Sequence, residues 1–289
     1  MAATPTPPSF PGATATLDPP PGPPPGRRRR LGPLLLVLAL VAALGVAVVV
    51  GMNRSDEPER QGSPPPFPIP ELDVPPRSAV PAVAAIAPGG ARDATRPTAE
   101  AVRSWASALA ERTQIPARSL VAYAEAELTI RDTEPGCGLS WSTLAGVGRV
   151  ESHHGRYGGS DIGADGRLTP PIIGIPLDGS PGVKAIPDTD GGRLDGDAEW
   201  DRAVGAMQFL PTTWSRWGAR ASGDGRSPDP QNIDDAALSA ARYLCASGGD
   251  LSTAQGWWRA VLTYNESVAY GQNVFSGADA YAKAARELR

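Results

Sequence analysis

One glutamate stands where a helix ends and where a carboxyl group is short of water. Ser140 is a good N-cap for a helix over Trp141 to Ser152. Along it Leu144, Gly148 and Glu151 fall at i, i+4 and i+7, so the carboxyl shares the stripe that faces the core. Burial and the negative end of the helix dipole both disfavour the anion and raise its pKa. A glutamic acid still protonated near neutral pH suits general-acid catalysis at a glycosidic oxygen. An ordinary surface glutamate beside Ser152 has the same spacing, so position alone does not choose between the two.

The other chemically able side chains make weaker patterns. His153 and His154 are the two histidines, and adjacent residues at a helix end point in different directions, a poor metal pair. Cys137 and Cys245 lack the CxxC partners of a zinc site. Aligning Gly225 with the glycine of a calcium loop puts Arg220, Ser222 and Gln231 where Asp, Asp/Asn and Glu belong, so no tight calcium site is expected. No cofactor is called for. Asp161, Asp165, Asp188, Asp190, Asp195 and Asp197 crowd one irregular stretch and offer a second carboxylate if the chemistry needs one. Of the adjacent Trp257 and Trp258, one is expected in the core and the other is a weaker sugar platform.

These residues need a helical frame. From about Thr95 apolar residues recur at helical spacing without sustained strand alternation, which predicts a mainly α domain over 95–289. Helices are expected over 98–113, 116–128, 141–152, 211–217, 234–246, 255–270 and 278–288. Between 158 and 196, Gly, Pro and Asp recur without period, which reads as a long irregular loop shaping a substrate cleft.

The rest of the chain has another character. Residues 1–30 form a Pro-rich tail ending in Arg27 to Arg30, with no means of building a core. Residues 31–52 are uncharged and rich in Leu, Val and Ala, enough to cross a hydrocarbon layer of about 30 Å as one transmembrane helix. A cleaved signal has a shorter apolar core and a small-residue cleavage site. No cysteine follows to carry a lipoprotein anchor. The four arginines before this segment put the N-terminus in the cytoplasm and everything after it outside. Residues 53–94 are again Pro-rich and read as a stiff extended spacer. The first 30 residues carry +3, four Arg against Asp18, which leaves −7 of the total −4 for the remainder, a poor partner for nucleic acid. Outside the membrane Cys137 and Cys245 have one available pairing, with two buried thiols as the alternative.

Three blocks then resemble one family. Leu144-Ala-Gly-Val-Gly-Arg-Val-Glu151-Ser-His-His-Gly155, Val204-Gly-Ala-Met-Gln208-Phe-Leu-Pro-Thr-Thr-Trp214 and Tyr264-Asn265-Glu-Ser267-Val-Ala-Tyr270 stand in the order and spacing of the B-type lytic murein transglycosylases, most like their actinobacterial branch. The resemblance covers roughly 95–285 and implies a lysozyme-like catalytic domain. It implies Glu151 as the catalytic acid and base, and Gln208, Tyr264, Asn265 and Tyr270 along the sugar-binding cleft. The implied reaction cuts peptidoglycan glycan strands without water and leaves 1,6-anhydro-muramyl ends. A hydrolytic muramidase using one of the loop aspartates is the alternative within enzymes. A glycan-binding scaffold that has lost turnover is the alternative outside them. Implied partners are glycan strands, the cytoplasmic membrane through the single helix, and cell-wall synthesis or division proteins.

Overall fold

Helix caps lay out the domain. In the computed structural model, which describes residues 66–86 and 96–288, Thr98 Oγ1 accepts from Ala101 N at 3.2 Å to open α1 (Ala99–Thr113). Pro116 precedes α2 (Ala117–Thr133). Helix α3 (Trp141–Ser152) starts at Ser140, whose Oγ accepts from Thr143 N at 3.3 Å, and the buried Glu127 of α2 accepts its first N–H, from Trp141, at 2.5 Å. Helices α4 (Pro211–Trp217), α5 (Ile233–Gly248), α6 (Ala254–Tyr264) and α7 (Val268–Arg286) follow, with Asn232, Thr253 and Ser267 capping the last three. The described residues are therefore mainly α. They lie within one unit, Pro65–Arg289.

The predicted helices over 141–152 and 211–217 are found with those limits. The pair expected over 255–270 and 278–288 is divided differently. Asn265 adopts an extended φ of −148°, Ser267 caps a new helix, and α7 runs unbroken through Gly271 and Gly277. Close packing explains why glycines that weaken a helix are kept there. A β-carbon on Gly271 would come within 2.7 Å of the Trp258 ring, and one on Gly146 of α3 within 2.5 Å of the Val274 carbonyl of α7.

Helix α3 runs through the middle, with Trp141, Leu144, Ala145 and Val147 fully buried. Both Trp257 and Trp258 are buried, although one was expected to be. Trp257 Nε1 donates to Thr143 Oγ1 at 3.1 Å, and Trp258 Nε1 donates to the carbonyl of Ala79 at 3.0 Å. The cover over the second indole comes from the segment read as spacer.

Residues 66–86, expected to be a free extended spacer, instead lie against the helices. Phe67, Ile69, Leu72 and Val74 turn inward while Pro66, Pro68, Pro70 and Pro75 face solvent. Leu72 N donates to Ser276 Oγ at 3.0 Å, Ala82 N to Asp279 Oδ1 at 2.9 Å, and Trp141 Nε1 to Ala84 O at 3.1 Å. Proline supplies the stiffness, but the apolar residues between the prolines give this strap a surface to bury.

Cys137 and Cys245 form a disulfide, with Cα atoms 5.4 Å apart across 108 residues of sequence. It joins the 3₁₀ turn Pro135–Cys137 after α2 to the end of α5. The tail 1–30, the segment 31–52 and the start of the spacer lie outside the described residues. Among the described residues no helix is long and apolar enough to cross a membrane.

Candidate active site

The stretch 158–196 is irregular, as expected. Its only pairing of named strands among the described residues is β1 (Asp161–Ile162) with β2 (Leu168–Thr169). Its aspartates hold the chain in shape. Asp188 accepts from the N–H groups of Asp190, Gly191 and Gly192 at 2.9–3.1 Å. Asp195 accepts from Asp197 N and Arg202 N, and Asp197 from Glu199 N, Trp200 N and the Arg202 guanidinium. These donors pull Asp188 and Asp197 below the usual carboxyl range. Asp165 closes its own turn onto Arg167 N, Asp190 accepts from Arg193 N, and the exposed Asp161 has a loose ion pair with Arg156 at 3.8 Å.

Glu151 is the penultimate residue of α3, part-buried on its inner stripe. Burial pushes its carboxyl up to about 7, opposed by a single hydrogen bond in which Tyr270 Oη donates to Oε1 at 2.5 Å. Tyr270 reaches it from the first turn of α7, where Ser267 Oγ accepts from Tyr270 N. Desolvation and the Glu151 carboxylate together hold the Tyr270 phenol well above its ordinary range, so it remains a donor.

The second block is tied to the same place. Ser152 Oγ donates to Ala206 O at 2.6 Å, and Tyr264 Oη donates to Met207 O at 2.7 Å. Gly205, at φ +77°, turns so tightly that a β-carbon would run into the Pro230 carbonyl. Gln208 follows in the left-handed region at φ +47°, half-buried, with Nε2 donating to Gly205 O at 2.9 Å and Oε1 against Gly174 of the long loop.

The five expected site residues thus do different work. Tyr270 touches Glu151. Gln208 sits in a turn fastened to Ser152, the residue after Glu151. Tyr264 packs its ring on Phe209 and Tyr243, with centroids 5.9 and 5.5 Å away, and spends its hydroxyl on the 205–208 turn. Asn265 is exposed at the end of α6, and its Oδ1 accepts from Ser267 N at 3.1 Å, which sets the bend that delivers Tyr270.

Residues weighed for other chemistry have structural partners. Arg220 pairs with Asp224 and Asp235 at 2.8 Å each, so the Asp224 carboxylate in the segment read against a calcium loop is held by a guanidinium. Among the described residues no group of His, Cys, Asp and Glu is arranged to hold a metal ion. His153 is exposed, whereas His154 is buried between Tyr123 and Tyr281. The bracing by these two tyrosines was missed in the sequence, since no spacing links residues 123, 154 and 281.

Residues 192–270 match the family model described as the Transglycosylase SLT domain. The match begins after Glu151 and includes Gln208, Tyr264, Asn265 and Tyr270. No curated protein sequence matches the chain. Among solved structures, the lytic transglycosylase Slt35 of Escherichia coli in complex with bulgecin A is 14% identical, with a TM-score of 0.39, covering 64% of this chain and 79% of that one.

Proposed function

We propose that this domain is a peptidoglycan lytic transglycosylase of lysozyme-like type, akin to the B-type enzymes of the actinobacterial branch, with Glu151 as its one acid and base. The transglycosylase domain match over 192–270 supports the reaction class. The observation that carries the residue assignment is the part-buried Glu151, whose carboxyl burial raises to about 7 while Tyr270 holds one of its oxygens.

The substrate bond is the β-1,4 link from N-acetylmuramic acid to N-acetylglucosamine. Tyr270 donates to Oε1, which leaves Oε2 to carry the proton toward the glycosidic oxygen. That proton passes to the departing O4 as the C1–O4 bond breaks, and the substrate's own acetamido oxygen stabilises the cationic C1. The Glu151 carboxylate then takes the C6 hydroxyl proton as O6 bonds to C1. The product end is 1,6-anhydro-muramyl, no water is consumed, and Glu151 is protonated again. One carboxyl group serves both steps, and its pKa near the working pH suits both roles. Both carboxylate oxygens of Asp188, Asp195 and Asp197 are taken up in hydrogen bonds, which weighs against these three as a second carboxylate.

The apolar segment 31–52, preceded by four arginines, supports a single-pass anchor with a cytoplasmic N-terminus and an extracytoplasmic catalytic domain. Glycan strands are then the substrate partner, with cell-wall synthesis or division proteins as neighbours along the same membrane.

The test is mass spectrometry of muropeptides released from purified peptidoglycan by the full chain and by its Glu151→Gln variant. Anhydro ends that vanish in the variant are expected. Reducing ends would instead identify a hydrolase. Glycan binding with no release by either protein would identify a scaffold.

A further inference from the structure

The helix that presents Glu151 is closed by two consecutive non-glycine residues in the left-handed region, His153 at φ 50° and His154 at φ 62°. His153 N donates to Arg149 O at 3.1 Å, and His154 N reaches back to Gly148 O at 2.8 Å. This is a helix ending usually left to glycine, and side chains there need support from the surroundings.

His154 receives that support on every side. Its ring is buried, with Nδ1 3.3 Å from Tyr123 Oη and Nε2 3.1 Å from Tyr281 Oη, and its carbonyl accepts from Ser119 Oγ at 3.0 Å. Tyr123 and Ser119 belong to α2, and Tyr281 to α7. Tyr123 Oη also presses on Gly148, one turn before Glu151, where a β-carbon would collide with it. Phe67 of the strap stacks on Tyr281 at 5.7 Å. Burial pushes the imidazole down to about 3, so the ring is neutral, with one nitrogen donating and one accepting.

We propose that His154 is a positioning residue for Glu151: by bridging the hydroxyls of Tyr123 and Tyr281 it fixes the last turn of α3, so that the carboxyl stays in its water-poor place beside Tyr270. The inference rests on Glu151 being the acid and base. The titratable groups facing the histidine are Tyr123 from α2 and Tyr281 from α7, with Arg149 and His153 on its own turn and Arg156 just beyond. Those facing Glu151 are Tyr270 from α7 and Tyr264 from α6.

The experiment is the pH dependence of anhydro-muropeptide release by the full chain, its His154→Asn and Tyr281→Phe variants, and Glu151→Gln. Asparagine keeps a tolerance for left-handed φ while losing the ring bridge. In the parent, activity is expected to fall as Glu151 ionises near pH 7. In His154→Asn this fall is expected about one pH unit lower, because a looser turn admits water to the carboxyl. The same variant should lose about tenfold in kcat with KM little changed. Tyr281→Phe should move the fall the same way by less. A folded His154→Asn protein with the parental pH profile overturns the proposal. If that variant does not fold, parental profiles in both Tyr281→Phe and Tyr123→Phe overturn it. Retained activity in Glu151→Gln would instead remove the assignment of Glu151 itself, whatever the histidine variants do.

Discussion

Tyr270 Oη donates to Glu151 Oε1 at 2.5 Å, joining the first turn of α7 to the last turn of α3. This bond favours the ionised carboxylate and works against the larger effect of burial, so the carboxyl settles near neutrality. Tyr270→Phe should therefore raise the Glu151 pKa further and carry the alkaline fall of activity to higher pH, opposite in sign to the shift expected for His154→Asn. Loss of one charge-assisted hydrogen bond should lower kcat/KM about tenfold, roughly 1.4 kcal/mol. An unmoved pH profile would show that the contact is not made during turnover.

Stability should record the same pKa. An unshifted glutamate titrates near 4.5 and Glu151 near 7 when folded. The folded form is favoured fully below about pH 4.5, loses that advantage as the pH rises to about 7, and is level above. Glu151→Gln should abolish this slope and stabilise the protein at pH 8 by about 2 kcal/mol, while release of muropeptides falls at least a hundredfold. Denaturant melts at pH 4.5 and pH 8 check it, and parallel pH dependence in both proteins would contradict it.

Truncation should expose the strap. A chain beginning at Ala91 lacks the carbonyls of Ala79 and Ala84 that satisfy Trp258 and Trp141, together with the stacking of Phe67 on Tyr281. It should melt well below a chain beginning at Pro65, since removing the strap returns to water the apolar surface that Phe67, Ile69, Leu72 and Val74 cover. Equal melting temperatures by calorimetry would show the strap to be dispensable.

The disulfide closes a span of 108 residues. Replacing Cys137 and Cys245 together by serine should cost about 4 to 5 kcal/mol in the chain-entropy account. Thermal melts of the oxidised protein against this variant test it, and a difference under about 1 kcal/mol would mean that the unfolded chain is scarcely constrained by the bridge.

What the sequence determined by itself is what depends on near neighbours along the chain. Ser140, the stripe Leu144, Gly148 and Glu151, and the limits of α3 follow from local spacing and capping, and with them the raised carboxyl. The aspartate-rich loop was legible as irregular for the same reason. Tertiary packing decided the rest. The cover over Trp258 comes from a strap more than 170 residues away, and the alternation of Phe67, Ile69, Leu72 and Val74 with proline is a faint signal of it. The resemblance names Asn265 and Tyr264 for the sugar cleft, whereas the hydrogen bond that ties Tyr264 to the 205–208 turn spans 57 residues and is set by packing. His154 shows the limit most clearly. Its chemistry comes from two tyrosines on other helices, and periodicity along one helix carries no information about what another helix brings against it.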